Sequence, residues 1–399
     1  MSTEIDWQLF DGSAIPNRIL RGPGCRKALP DQLDSLGLER ILIVTGPTIR
    51  TATRFIEELM DDLGDRVVGI FDQVQGHTPV ASMEAPAALA RELNADSVLS
   101  LGGGSVHDAA KAIAVMAPSR RSIVDFVSRF EPPDTFHSPD IDVTPLSVVT
   151  IPSTMSAADV VGGGAVTDTA TGKKLIFVHP KLTPALVMLD GEVLASTPVE
   201  ILAASGMNAL HHCLEALYSR GHQPITDAFA LRAIQELVAI LPALAPGAPT
   251  PDIDTFQRAL DASSMSGLTY ANSWLGIGHA VCHSLGGRYG LPHGKANSVM
   301  VRNSLRFNLE VAEDRLVLAA RAIGVTVSSD RPELAAAQVV AVVDNLVEQL
   351  QVPQNLRELG LPEGQFETIA DDVMADPQTY WNPRPVARED VIQLLKAAW

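Results

Sequence analysis

Ser97-Val98-Leu99-Ser100-Leu101-Gly102-Gly103-Gly104-Ser105 is the stretch that decides the fold. A short apolar run stops at three glycines, and Val106 to Val115 then reads as a helix. A strand without polar alternation is buried on both faces, as in a parallel sheet. Glycines at its carboxyl end let the backbone approach a ligand closely, and the free N–H groups and positive dipole of the helix start favour a phosphate. The pattern is neither GxGxxG nor a P-loop, so a phosphate site and a glycine turn that binds nothing both fit these residues alone. Gly102, Gly103, Gly104 and Ser105 are the candidate phosphate contacts. Asp108 and Lys111, one turn further, read either as ligand contacts or as an exposed i,i+3 ion pair.

Similar runs flank this one. Arg40 to Thr45 ends at Gly46-Pro47, Val67 to Phe71 follows, Leu146 to Ile151 stops at Pro152, and Ala185 to Leu189 stops at Asp190. Met83 to Leu93 reads as a helix between two of them. Strand–helix alternation implies a parallel sheet wrapped by helices. After Asp190 the 3.6-residue period dominates. Ser196 to Glu200 reads as a helix start, with Thr197 as cap, Pro198 in the first turn and Glu200 completing a capping box. Pro332 to Leu350 reads as one amphipathic helix. The expected organisation is an α/β nucleotide-binding domain over residues 1–190 and an all-α domain over 191–399. Glu131 to Asp140 and Pro242 to Pro251 read as loose proline-rich connections.

The chain has 399 residues, 46% of them hydrophobic, with 47 acidic against 30 basic side chains and a formal charge of −17. That apolar fraction builds a sizeable core, and the acidic balance argues against nucleic acid or membrane surfaces as partners. Cys25, Cys213 and Cys282 are far apart, so neither a disulfide framework nor a thiolate zinc site is expected. The acidic start lacks the order of a signal peptide, and no apolar stretch approaches 18 residues. The expectation is a cytoplasmic protein that acts as a homodimer on a small molecule. Gly46 ends its strand where many nucleotide sheets carry an acidic residue for the ribose 2′-hydroxyl, so both NADH and NADPH are expected to fit.

Histidine spacing carries the chemistry. His279 and His283 are i,i+4 and share a helix face, as do Asn208 and His212. His293 follows a Gly286-Gly287 break that could fold it back towards the first pair. These residues could build a divalent-metal site between helices or be satisfied interior histidines. His211, between Met207 and Leu214, reads as structural.

Taken together, these motifs resemble the iron-containing, group III alcohol dehydrogenase superfamily over nearly the whole chain, and maleylacetate reductases within it. The resemblance rests on Gly102–Ser105 with Asp108 and Lys111, on Ile151-Pro152-Ser153-Thr154, on Met207 to His212, on His279 to His293, and on Asn382-Pro383-Arg384-Pro385. It implies an active site in a cleft between the two domains, with Ser153, Thr154 and Lys174 joining Gly46 and the glycine turn around the cofactor. It also implies catalytic roles for His212, His279, His283 and His293. Metal-dependent members use an aspartate and three histidines; here the histidines are His212, His279 and His293, but Asn208 stands at the aspartate position. Maleylacetate reductases share that asparagine and the shortened Thr154 to Asp159 segment, and are understood to work without metal. Gly102 to Asp108 and His293 to Asn297 follow the dehydrogenase pattern more closely. The implied function is NAD(P)H-dependent reduction of a small oxo-carboxylate, maleylacetate to 3-oxoadipate, in aromatic catabolism, with no metal expected. The alternative is an iron- or zinc-dependent alcohol dehydrogenase using His212, His279, His293 and Asn208.

Overall fold

The run at Ser97 forms a strand whose six residues are all buried. In the computed structural model, which describes residues 11–132, 135–328 and 331–399, it is the fourth of ten strands. These are β1 (Ile19–Arg21), β2 (Ile41–Thr45), β3 (Val67–Phe71), β4 (Ser97–Gly102), β5 (Arg129–Glu131), β6 (Thr135–His137), β7 (Ser147–Pro152), β8 (Gly163–Asp168), β9 (Lys173–Val178) and β10 (Leu186–Leu189). The acidic residues 1–10 lie outside the described part. Six strands make one parallel sheet in the order β1-β10-β7-β4-β2-β3. On one face Leu42, Val44 and Val98 pack against Ala109 and Ile113 of α1 (Gly104–Ser119); on the other, Ile41, Ile43, Leu99 and Leu101 pack against Leu29, Ile56 and Leu59. Apolar cover on both faces is why these strands read as unbroken hydrophobic runs.

No strand follows β10 among the described residues. The helices that carry the histidines are α2 (Val199–Tyr218), α4 (Ile277–Tyr289) and α5 (His293–Asn308), with α3 (Ile253–Tyr270) and α6 (Phe366–Met374) packed beside them. No described helix is long and apolar enough to cross a membrane.

Three local expectations are corrected. Thr197 does not cap α2: Pro198 holds that position, and the Thr197 hydroxyl donates to the Ser153 carbonyl at 2.7 Å, tying the end of β7 to the start of the helix. Within the proline-rich segment expected to be loose, β6 pairs with β5 as a hairpin. Gly286 and Gly287 do not break a helix but lie inside α4, which ends at Gly290 in the left-handed conformation. A Cβ at Gly287 would lie 2.8 Å from the Lys174 backbone nitrogen, so the missing side chain lets α4 press onto the β8–β9 hairpin.

His107 sits fully buried under the sheet, its Nδ1 2.9 Å from the Ser100 hydroxyl. Burial, with Lys111 nearby, lowers its pKa from the ordinary 6.5 to about 3. The native state keeps this ring neutral while the unfolded chain takes up a proton below 6.5, so the stability it contributes is lost as pH falls through the window between those values. The urea midpoint is therefore expected to drop between pH 7 and pH 4, and less steeply in His107→Gln; identical slopes in the two proteins would contradict this.

Candidate active site

Strand order places the first half of the site. From β2 the chain moves outward to β3, then returns to the other side of β2 as β4 before continuing to β7 and β10. Ligands of open α/β sheets bind at the carboxyl ends of the strands where the order reverses. That crevice lies between Gly46, after β2, and the turn after β4. Gly103 is the N-cap of α1, whose first N–H groups lack a side-chain cap. Ser153 follows β7 and donates its N–H to the Gly102 carbonyl at 2.8 Å, and the Thr154 side chain stands 3.2 Å from where a Gly103 Cβ would be. The Ser105 hydroxyl accepts from the His77 N–H at 3.2 Å. Gly46, Gly102, Gly103, Gly104, Ser105, Ser153 and Thr154 thus gather at one end of the sheet.

Asp108 and Lys111 form no exposed ion pair. The Lys111 ammonium is fully buried and donates to the carbonyls of Ala158 and Gly163 at 2.5 and 2.6 Å, bracing the loop after β7. Asp108 faces Gly164 of β8, and burial raises its pKa.

The second half is the histidine cluster. The His212 and His279 rings stack at 4.7 Å, and His293 lies 6.0 Å from both His279 and His283. Asn208 is one turn before His212 on α2. Ring contacts thus link His212, His279, His293 and His283 in a chain, with Asn208 one helical turn from His212. Burial, reinforced by neighbouring charges including the other rings, pushes the pKa of His212 and His293 well down and that of His279 to about 4, so these three imidazoles are neutral near pH 7. Asn208 Oδ1, His212 Nδ1, His279 Nε2 and His293 Nδ1 are buried without hydrogen-bond partners. Buried polar atoms are rarely left so. Three imidazole nitrogens and an amide oxygen are donor types that a divalent cation accepts, so by their chemistry the residues present fit one.

Glu215, on the same helix as Asn208 and His212, was not singled out in the sequence. Its carboxylate is fully buried. It accepts the N–H groups of Gly276, Gly278 and His279 at 3.0, 2.8 and 3.2 Å, and Oε2 is 2.6 Å from His279 Nδ1. A carboxylate at a helix N-terminus is favoured by the unpaired N–H groups and the dipole. Although burial raises its pKa, His211, His279 and the hydrogen bonds pull it well below the ordinary value. The signal in the sequence was an acidic residue four positions after His211 in an otherwise apolar stripe. Donor atoms of His211, Glu215 and His279 lie within 4.8 Å of one another, close enough to hold a metal ion. Their atoms are already engaged, however: His211 bonds Asn297 and Ser304, as its structural reading expects, and His279 Nδ1 shares a proton with Glu215.

Beside His283, between α4 and the β8–β9 and β5–β6 hairpins, lies a cavity of about 430 Å3 lined by Phe130, Phe136, Lys174, His283 and Arg288 among others. Phe130 packs on Tyr380 and Phe136 on Trp274, which pins the β5–β6 hairpin over it. Arg288 is neutralised by a two-pronged bond to Asp372, and His283 Nδ1 is 2.8 Å from Asp376. Asp376 lies 93 positions from its partner, beyond any spacing rule. The Lys174 ammonium has no hydrogen-bond or ion-pair partner among the described residues; burial lowers its pKa, against the pull of Asp108 and Asp376.

Residues 16–191 match the family described as iron-containing alcohol dehydrogenase, and residues 202–399 match the C-terminal part of the Fe-containing alcohol dehydrogenase family. The chain is 30% identical to an NAD-dependent methanol dehydrogenase of Bacillus methanolicus over 96% of its length and 98% of that protein. It is 28% identical to a maleylacetate reductase of Sphingobium indicum, over 96% of each. A crystal structure of 1,3-propanediol oxidoreductase superposes with a TM-score of 0.89 at 26% identity, covering 98% of this chain and 100% of the other. Matched over nearly its whole length by these two family descriptions, the chain belongs to the iron-containing alcohol dehydrogenase family of oxidoreductases.

Proposed function

We propose that this protein is an NAD(P)H-dependent reductase of a small oxo-carboxylate, with maleylacetate, reduced to 3-oxoadipate, as the first compound to test. The observation that carries the reading is Lys174: a half-buried ammonium with no hydrogen-bond or ion-pair partner among the described residues, lining a cavity together with His283. A cation lining a cavity complements an anion, and a substrate carboxylate is one that could sit beside it, with Asp371, Asp372 and Asp376 setting the opposite charge on the cavity's other wall. A bound nicotinamide would supply the hydride, and a divalent cation held by Asn208, His212, His279 and His293 would polarise the substrate carbonyl. His283, with Nδ1 held by Asp376, is placed to move a proton at Nε2 once the enolate develops. The pinned hairpin, through Phe130 and Phe136, keeps bulk water from that enolate.

The expectation of a metal-free site rested on Asn208 together with the other features that resemble maleylacetate reductases, such as the shortened Thr154 to Asp159 segment. The four unpartnered donor atoms favour a cation instead, and they support a second reading, an iron- or zinc-dependent alcohol dehydrogenase acting on a neutral alcohol. Substrate charge separates the two. Lys174→Met is expected to lower kcat/KM for maleylacetate by at least about tenfold, near 1.4 kcal/mol, while changing turnover of a neutral short-chain aldehyde less than about threefold. Equal losses on both substrates, or activity on neutral compounds alone, would favour the dehydrogenase.

Cofactor choice follows from Gly46. Its Cβ position is open, with Val106 at 3.9 Å the nearest contact, and Arg50 four residues on is engaged by Glu57 and Asp72. Without a carboxylate to repel a 2′-phosphate, NADPH should support turnover within about tenfold of NADH. Gly46→Asp should penalise NADPH selectively in kcat/KM; an equal effect on both cofactors would place the discriminator elsewhere.

A further inference from the structure

We propose that Glu215, bonded to His279 Nδ1 behind the cluster, supplies the negative charge that Asn208 does not, and so lets this site hold a divalent cation with four neutral donors. The inference rests on the reading that the cluster takes a cation.

Asn208, His212, His279 and His293 present three imidazoles and an amide, with no formal charge to set against a dication. Aspartate at position 208 would bring one directly; an amide oxygen is a weaker donor. Among the described residues the carboxylate in contact with this cluster is Glu215. It accepts the Nδ1 proton of His279 at 2.6 Å. That bond fixes the tautomer: with the proton on Nδ1, the lone pair is on Nε2, which is the buried, partnerless atom. A carboxylate on the far side of a ligating imidazole raises the basicity of the ligating nitrogen and fixes the ring's orientation. Three backbone N–H groups hold the carboxylate itself, so it cannot swing away. Glu215 is thus a positioning residue, one ring removed from the ion.

A helix cap with no other role would affect folding alone, so the test reads cation affinity. Metal-stripped protein is titrated with cobalt(II), following the visible ligand-field bands and equilibrium dialysis, with NADH binding and circular dichroism as controls for the fold. The wild type is expected to bind one cobalt per chain, and Glu215→Gln to bind it about 10- to 100-fold more weakly at unchanged NADH affinity. Adding Asn208→Asp to Glu215→Gln should restore most of that affinity, because the charge then sits on the ligand itself. Equal cobalt affinity in wild type and Glu215→Gln overturns the role of Glu215 while leaving the cation reading standing. A wild type that binds no cobalt at the cluster overturns both. Where Glu215→Gln fails to fold, nitrogen-15 spectra of histidine-labelled wild type decide the matter, with His279→Asn used for assignment. A proton on His279 Nδ1 with bare Nε2 is expected, and a proton on Nε2 overturns the proposal.

Discussion

A single buried carboxylate fixes the geometry of the histidine site. The first turn of α4 lies inside the protein, where water cannot satisfy its N–H groups, and unpaired buried donors are costly. Glu215 takes three of them, the Asn382 side chain takes that of Ile277 at 3.3 Å, and Gln378 takes that of Leu275 at 2.7 Å. The approach is so close that a Cβ at Gly278 would lie 2.5 Å from the His211 ring. With its start held this way and Gly287 resting against β9, α4 has its position set at both ends. His279 and His283 follow from that placement.

Electrostatics divides the labour between the two halves. The three innermost histidines are kept neutral by burial and by nearby positive charges, the other rings among them. Positive charge enters the cleft through Lys174, on the hairpin that joins the sheet domain to α4, while Arg288 is cancelled by Asp372. The helix start at Gly103 and Gly104 adds a partial positive charge at the cofactor end.

Much of this was legible in the sequence. Ile41 to Thr45 and Ser97 to Leu101 announced a parallel sheet because both of its faces are covered, and the i,i+4 pairs Asn208/His212 and His279/His283 announced two helices facing one another. What escaped depended on tertiary packing. Glu215 sits in a helix stripe that periodicity assigns to the core, and it is indeed in the core, as a charge paired with a helix start. The Gly286-Gly287 pair looked like a break because glycine is a poor helix former, but close packing on β9 outweighs the propensity there. Lys111 read either as a ligand contact or as half of an exposed ion pair, and it forms no such pair; its partners, Ala158 and Gly163, are backbone carbonyls that carry no sequence signature.

In the proposed cation site Asn208, His212, His279 and His293 form one neutral set of donors, with the Glu215 carboxylate behind His279. Anomalous diffraction at the cobalt absorption edge, from crystals grown with cobalt(II), tests it most directly. One strong peak per chain is expected at about 2.0–2.2 Å from donor atoms of those four residues, with His279 bound through Nε2. A peak among His211, Glu215 and His279, or none at the cluster in crystals that hold cobalt elsewhere, would contradict it.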